Sequence, residues 1–234
     1  MNMYSSGYFL LSIGLAAVGF VVQQILLAKM RKYGAAPVSR GMSGKEIAET
    51  MLNYYNIRGV QVVPGQGMLT DHYNPLTKTV SLSPDVYEGR NIMAAAVAAH
   101  ECGHAVQHAT AYSMLQLRSK LVPVVQVASF GLQWMMLLSF MLANSFPQLM
   151  LVTIGLFALT TIFSIITLPV EFDASKRALA WLNAQAVLRS GPESEGAKDA
   201  LKWAAMTYVV AALSSIVMLV YLILRYMGLS RSDD

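Results

Sequence analysis

The chain has 234 residues, 55% of them hydrophobic and 13% charged, with a formal net charge of +4. Charge this sparse, against about 25% in an average soluble domain, excludes a disordered tail and argues against an ordinary soluble globule. Its 1 cysteine excludes an intrachain disulfide framework and any multi-cysteine zinc ribbon.

A bilayer core of about 30 Å takes about 20 apolar residues as a helix. The first such segment covers 8–28 and carries no charge. Lys29, Arg31 and Lys32 follow it, whereas Met1 to Gly7 has no positive charge. That order predicts a retained anchor with its N-terminus outside, not a cleaved secretory signal. Residues 33–44 are small and Gly/Pro-rich and read as a linker. Ser43 offers an N-cap to a helix over 44–55, with Glu46 closing a capping box. Val60, Val62 and Val63 suggest a short strand, and Pro64-Gly65 and Gly67 a turn. Segments 69–73 and 78–82 flank Asn74-Pro75 and predict a hairpin that Ser83-Pro84 ends.

A long helix is predicted from Asn91 to Gln107 or beyond. It contains His100-Glu101-Cys102-Gly103-His104, the pattern H-E-x-x-H. Residues four apart share a helical face, so the two imidazoles converge on one metal ion and Glu101 is placed to act as general base. Structural zinc sites are closed by four ligands, whereas a catalytic site keeps one position open. His108 lies about 12 Å from His100 by helical rise, too far to share that ion. It is expected beside the site, toward substrate, or simply as a structural residue. Cys102 is expected to be a small buried filler facing away from the metal.

Further spans are predicted at 121–144, 149–168 and 203–224, none with Asp, Glu, Lys, Arg or His. Pro169 marks a break or a helix start, the next helix covers 170–188, and Gly191-Pro192 opens a polar loop to 196. Placing 29–120 and 169–202 in the cytoplasm puts 15 of the 17 Lys and Arg inside. Arg225 and Arg231 fall outside, beside Asp233 and Asp234, and 144–148 is the external turn. The basic balance is thereby a matter of topology, and no nucleic-acid partner is expected.

Two spans separate His104 from Glu171-Phe172-Asp173, so both segments return to one membrane face. Glu171 and Asp173 are the only acidic residues between His104 and Glu193. Glu171 is the expected third ligand, and Asp173 the acceptor for a ligand imidazole's second nitrogen. His72, Tyr73 and Arg177 are candidates to stabilise an oxyanion. The strand 78–82 could add an extended substrate to its edge.

The expected fold is a mainly helical, multi-pass membrane protein of four spans with a small cytoplasmic α+β, zincin-like domain. Its catalytic region is 29–120, and 169–202 brings the third ligand. The expected function is a zinc metalloendopeptidase using a zinc-activated water and Glu101 at the cytoplasmic membrane face. The alternative is a membrane adaptor or quality-control scaffold with a structural zinc. An intramembrane protease would bury the motif inside a span, but Arg90 precedes it and Arg118 and Lys120 follow. A transporter would mark its pathway with ionisable residues in the spans. The partners expected are the bilayer and a protein or peptide substrate, membrane proteins included.

Three blocks, GMLTDHYNPLTKTVSLSPDVY, AAVAAHECGHAVQHATAYSMLQLRSKLVPV and LPVEFDASKRAL, resemble the YugP-type family of bacterial membrane zinc metallopeptidases. The resemblance covers most of the chain and implies a peptidase of the bacterial plasma membrane, without naming a substrate. A more distant similarity is to HtpX and CAAX-prenyl-protease-type gluzincins, whose H-E-x-x-H is followed by E-x-x-x-D. That likeness implies His100, His104 and Glu171 as zinc ligands and Glu101 as base. Ser175 stands where the pattern has its distal Asp, which raises the expectation placed on Asp173.

Overall fold

The computed structural model describes residues 3–142, 145–146 and 148–230. Of the expected external turn at 144–148, Asn144 and Pro147 lie outside them, as do Arg231, Asp233 and Asp234. The element order is α1 (Met3–Gly34), α2 (Gly44–Tyr54), β1 (Gln61–Pro64), β2 (His72–Asn74), β3 (Thr79–Leu82), α3 (Pro84–Tyr87), α4 (Ile92–Ala109), α5 (Ser113–Met141), α6 (Gln148–Ala184) and α7 (Pro192–Ser230). Four helices, α1, α5, α6 and α7, are long and apolar enough to cross a membrane. The chain divides into two compact units.

The first unit comprises 1–21, 117–168 and 207–234. It is built from the apolar stretches of the four long helices, and many of its large side chains face outward, while Met150 and Leu222 are buried between them. Phe20, Val127, Phe130 and Trp134 are exposed. Outward apolar side chains suit hydrocarbon, in which the backbone must satisfy itself within helices. Two hydroxyls inside this unit are paired locally: those of Ser139 and Thr153 bond each other and the Leu149 carbonyl.

The second unit comprises 22–116 and 169–206 and holds the core. Ser43 caps α2 through the reciprocal box with Glu46. Asn91 caps α4 by accepting from the Ala94 amide. The first two turns of α4 are alanine-rich, and Ala94, Ala95, Ala96, Ala98 and Ala99 are all buried. Such small side chains let Ile47 and Met51 of α2 approach closely, and Trp181 and Leu182 of α6 complete the same core. The sheet has the order β1-β3-β2, with β1 parallel and β2 antiparallel to β3. The Asn74 side chain accepts from the Leu76 and Thr77 amides and closes the β2–β3 hairpin.

Several sequence expectations are corrected. The strand at 78–82 is β3, and both its edges are occupied, so it cannot accept a substrate strand. The free edges belong to β1 and β2. Pro169 neither breaks nor starts a helix, because α6 runs through it to Ala184. Residues 192–196 are the first turn of α7 and not a loop, with Pro192 at its start and Glu193 and Glu195 favourably placed near its positive end. Ser83-Pro84 ends the hairpin by opening α3, Pro again standing at a helix start.

Candidate metal centre

His100 and His104 stand one turn apart on α4, and Glu171 lies on α6, all within the second unit. Gly103 sets their approach. A Cβ there would lie 2.6 Å from the Ala174 carbonyl oxygen, so only glycine lets the two helices meet at this level. Among the described residues, His100, His104 and Glu171 form the cluster able to hold a metal ion, their donor atoms lying within 4.8 Å of one another.

The spacing itself tests the fit. Glu171 Oε2 is 3.3 Å from His100 Nε2 and 3.6 Å from His104 Nε2. Charge-assisted hydrogen bonds are shorter, about 2.7–2.9 Å. Two donors about 2.05 Å from a tetrahedral zinc ion are about 3.4 Å apart. The two carboxylate–imidazole edges therefore match those of a coordination tetrahedron, with two imidazoles and one carboxylate as donors. Three protein ligands leave the fourth position open.

Each imidazole is fixed from behind. Gln107 is fully buried, and its Nε2 donates to the Val170 carbonyl at 2.8 Å and to Asp173 Oδ2 at 2.9 Å. Its Oε1 is consequently the atom facing His104 Nδ1, at 3.0 Å. An oxygen there requires a proton on Nδ1, which leaves the Nε2 lone pair for a metal. His100 Nδ1 lies 3.1 Å from Ser175 Oγ, so its Nε2 is likewise turned toward Glu171. Asp173 reaches His104 only through Gln107, and it is paired with Arg177 at 2.5 Å. Direct acceptance of an imidazole by Asp173, the sequence expectation, is thus replaced by a relay through Gln107. Ser175 serves as partner to His100 where the distant pattern has an aspartate.

The electrostatics of the triad favour a cation among its donors. Burial pushes the Glu171 carboxyl up, but the hydrogen bonds and charges of His100 and His104 overcome it and hold the group well below the usual carboxylate range. Burial lowers His104, yet Glu171, Glu101 and Gln107 together raise it above the ordinary histidine value. Glu101 is itself buried, next to His100 on α4, and its charge contributes to raising His104.

The remaining candidates fall into two groups. Tyr73 Oη lies 2.7 Å from His108 Nδ1, joining β2 to α4 one turn beyond His104. Arg177 is held by Asp173 and lies over the Tyr112 ring at 5.9 Å. His72 is exposed and bonded to the Thr70 carbonyl, apart from the triad's hydrogen bonds. Cys102 is fully buried, its thiol donating to the Ala48 carbonyl, and burial pushes its pKa far up. It is an inert packing group.

Residues 8–227 match the model of a family described as "Putative neutral zinc metallopeptidase". The "Putative membrane protease YugP" of Bacillus subtilis (strain 168) is 39% identical over 223 residues, spanning 94% of this chain and 97% of that protein. No solved structure matches the chain.

Proposed function

We propose that this chain, which belongs to the neutral zinc metallopeptidase family, is a gluzincin-type endopeptidase acting at the cytoplasmic face of the bacterial membrane. The observation that carries this reading is the convergence of His100, His104 and Glu171, with both carboxylate–imidazole distances fitting a zinc ion, on a helix that also carries the buried carboxylate of Glu101. Zinc is the family's metal, and these three residues would hold it. When bound, it polarises a peptide carbonyl and lowers the pKa of water to about 7.

The chain's own residues do the rest. Glu101 takes a proton from the attacking water and passes it to the leaving amine. Gln107 holds His104 in the Nδ1–H tautomer, and Ser175 orients the ring of His100. The Tyr73–His108 pair and Arg177 are the candidate donors to the developing oxyanion. The free edge of β2, which carries Tyr73 and packs beside α4, is the edge on which an extended peptide would lie. Cytoplasmic action follows from the charge distribution, since 29–120 and 169–202 carry nearly all the Lys and Arg.

The test uses detergent-purified protein, elemental mass spectrometry and a quenched-fluorescence peptide library. Wild type is expected to carry about one zinc per chain and to cleave peptides, with cleavage lost to a chelator and restored by zinc. Glu101→Gln should keep the metal and lose about 10²–10⁴-fold in turnover. Undiminished hydrolysis by that variant would remove Glu101 from the mechanism. Zinc-loaded wild type without any hydrolysis across the library would overturn the peptidase reading.

A further inference from the structure

An open cleft of about 510 Å³ in the second unit has Met30, Arg31, Met68 and Leu69 on its walls, with the acidic Asp85 and Glu88 also lining it. One wall is the end of α1. The apolar run of that helix finishes at Ala28, and at about 1.5 Å per residue Met30 and Arg31 lie about 3–5 Å beyond it. That is the depth of the headgroup layer, which adds about 5–8 Å to each side of the hydrocarbon core.

The facing wall is the turn between β1 and β2. Residues 65–70, Gly-Gln-Gly-Met-Leu-Thr, carry no charge. Met68 and Leu69 are 72% and 47% exposed. Gly67 and Leu69 have φ of 86° and 59°. The left-handed region is unfavourable for leucine, so the backbone is held in a strained form that displays the two side chains. Its base is firm: the Asp71 carboxylate accepts from the Ser83 amide at 2.7 Å and from its hydroxyl. Exposure alone would not single this turn out, because Leu76 is 93% exposed at the next one. What distinguishes Met68 and Leu69 is that they share a cleft with the interfacial turn of α1, whereas Leu76 does not.

We infer that the Met68–Leu69 turn inserts into the interfacial layer of the bilayer beside the end of α1, so that the cleft between them opens onto lipid. The turn is then a second membrane contact of the second unit, continuous with that of the helix. An uncharged, apolar, structurally braced tip is the chemistry such a layer accepts. The inference rests on α1 crossing a bilayer and is independent of the peptidase reading.

The test is site-directed spin labelling in phosphatidylcholine–phosphatidylglycerol proteoliposomes. Cys102 is fully buried, so Met68→Cys, Leu69→Cys, Leu76→Cys and Met30→Cys can be labelled singly in the full chain. Collision with oxygen, which concentrates in lipid, is compared with collision with a water-soluble nickel chelate. Labels at 68 and 69 should show an oxygen-to-nickel ratio several-fold above that at 76 and similar to that at 30. A ratio at 68 and 69 equal to that at 76 overturns the inference. So do labels shielded from both reagents, which would signal a protein partner. Should a labelled variant fail to fold, Met68→Trp offers the same decision: brominated lipid must quench its added fluorescence, and the absence of quenching overturns the inference.

Discussion

Gln107 is bonded on both ends of its amide, and the two acceptors of its nitrogen dictate which atom faces His104. Replacing it with leucine keeps the volume and removes the oxygen that holds the Nδ1 proton. Zinc affinity should fall about 10–100-fold, the usual cost of losing such a partner. A competition titration against a chromophoric chelator measures it, and unchanged affinity would make Gln107 a mere filler. The same titration has a defined pH course. His104 is raised in the metal-free chain, so its proton persists above the ordinary histidine range and must be displaced by the metal. Glu171 is depressed and stays ionised, and therefore adds nothing near neutrality. Affinity is expected to be full at alkaline pH and to decline on acidification from above about 6.5, the ordinary histidine value. A decline that begins only well below that value would contradict the raised His104. Much of this cluster is readable from the sequence. The i, i+4 spacing pairs the two histidines, and counting two spans returns Glu171 and Asp173, the only acidic residues between His104 and Glu193, to their side. Gln107 and Ser175 are not readable, because an amide or a hydroxyl on a helix is usually just solvated. Their roles exist only once α4 and α6 lie side by side.

At the scale of elements, that approach depends on Gly103, since any Cβ would press on the Ala174 backbone carbonyl. A backbone atom inside a packed helix cannot yield as a side-chain tip can. Gly103→Ala should cost about 1–3 kcal/mol through overpacking, although alanine alone favours a helix by about 1 kcal/mol over glycine. It should also part the histidines from Glu171, so zinc content falls together with the melting temperature. A variant that melts normally and binds zinc normally would show that the helices can separate without harm. The glycine lies within H-E-x-x-H, yet its packing role is hidden, because nothing in the string says what faces it. The same holds for β3. Alternation and turn residues predict the hairpin, but the parallel addition of β1 is a long-range pairing with no local signal. Pro169 misleads for the opposite reason: a strong local breaker signal is overridden when the helix on both sides is fixed by packing. Val170, Glu171, Ala174 and Ala178 are all buried just beyond it. Caps, in contrast, are written locally, and the Ser43–Glu46 box is formed as the sequence predicts.

For the molecule as a whole, the metal triad constrains the path of the chain through the bilayer. His100 and His104 precede the helices α5 and α6, and Glu171 follows the apolar run of α6. A shared metal therefore requires an even number of crossings between them. The apolar runs 121–144 and 149–168 supply two. Charge then chooses the side, since a Lys- and Arg-rich segment resists export. Cysteine accessibility can test both statements, because Cys102 is fully buried and leaves a silent background. Leu76→Cys and Ser190→Cys occupy exposed positions in 29–120 and 169–202. Both should be shielded from an impermeant maleimide in intact cells and react once the membrane is permeabilised. Met227→Cys, near the far end of α7, should react in intact cells. Two outcomes separate distinct failures. If 76 and 190 differ, the chain crosses an odd number of times and the triad cannot form. If they agree but react from outside, the zinc centre stands and only its side is reversed. The substrates would then be extracytoplasmic, and the positive charges would have failed to set the topology.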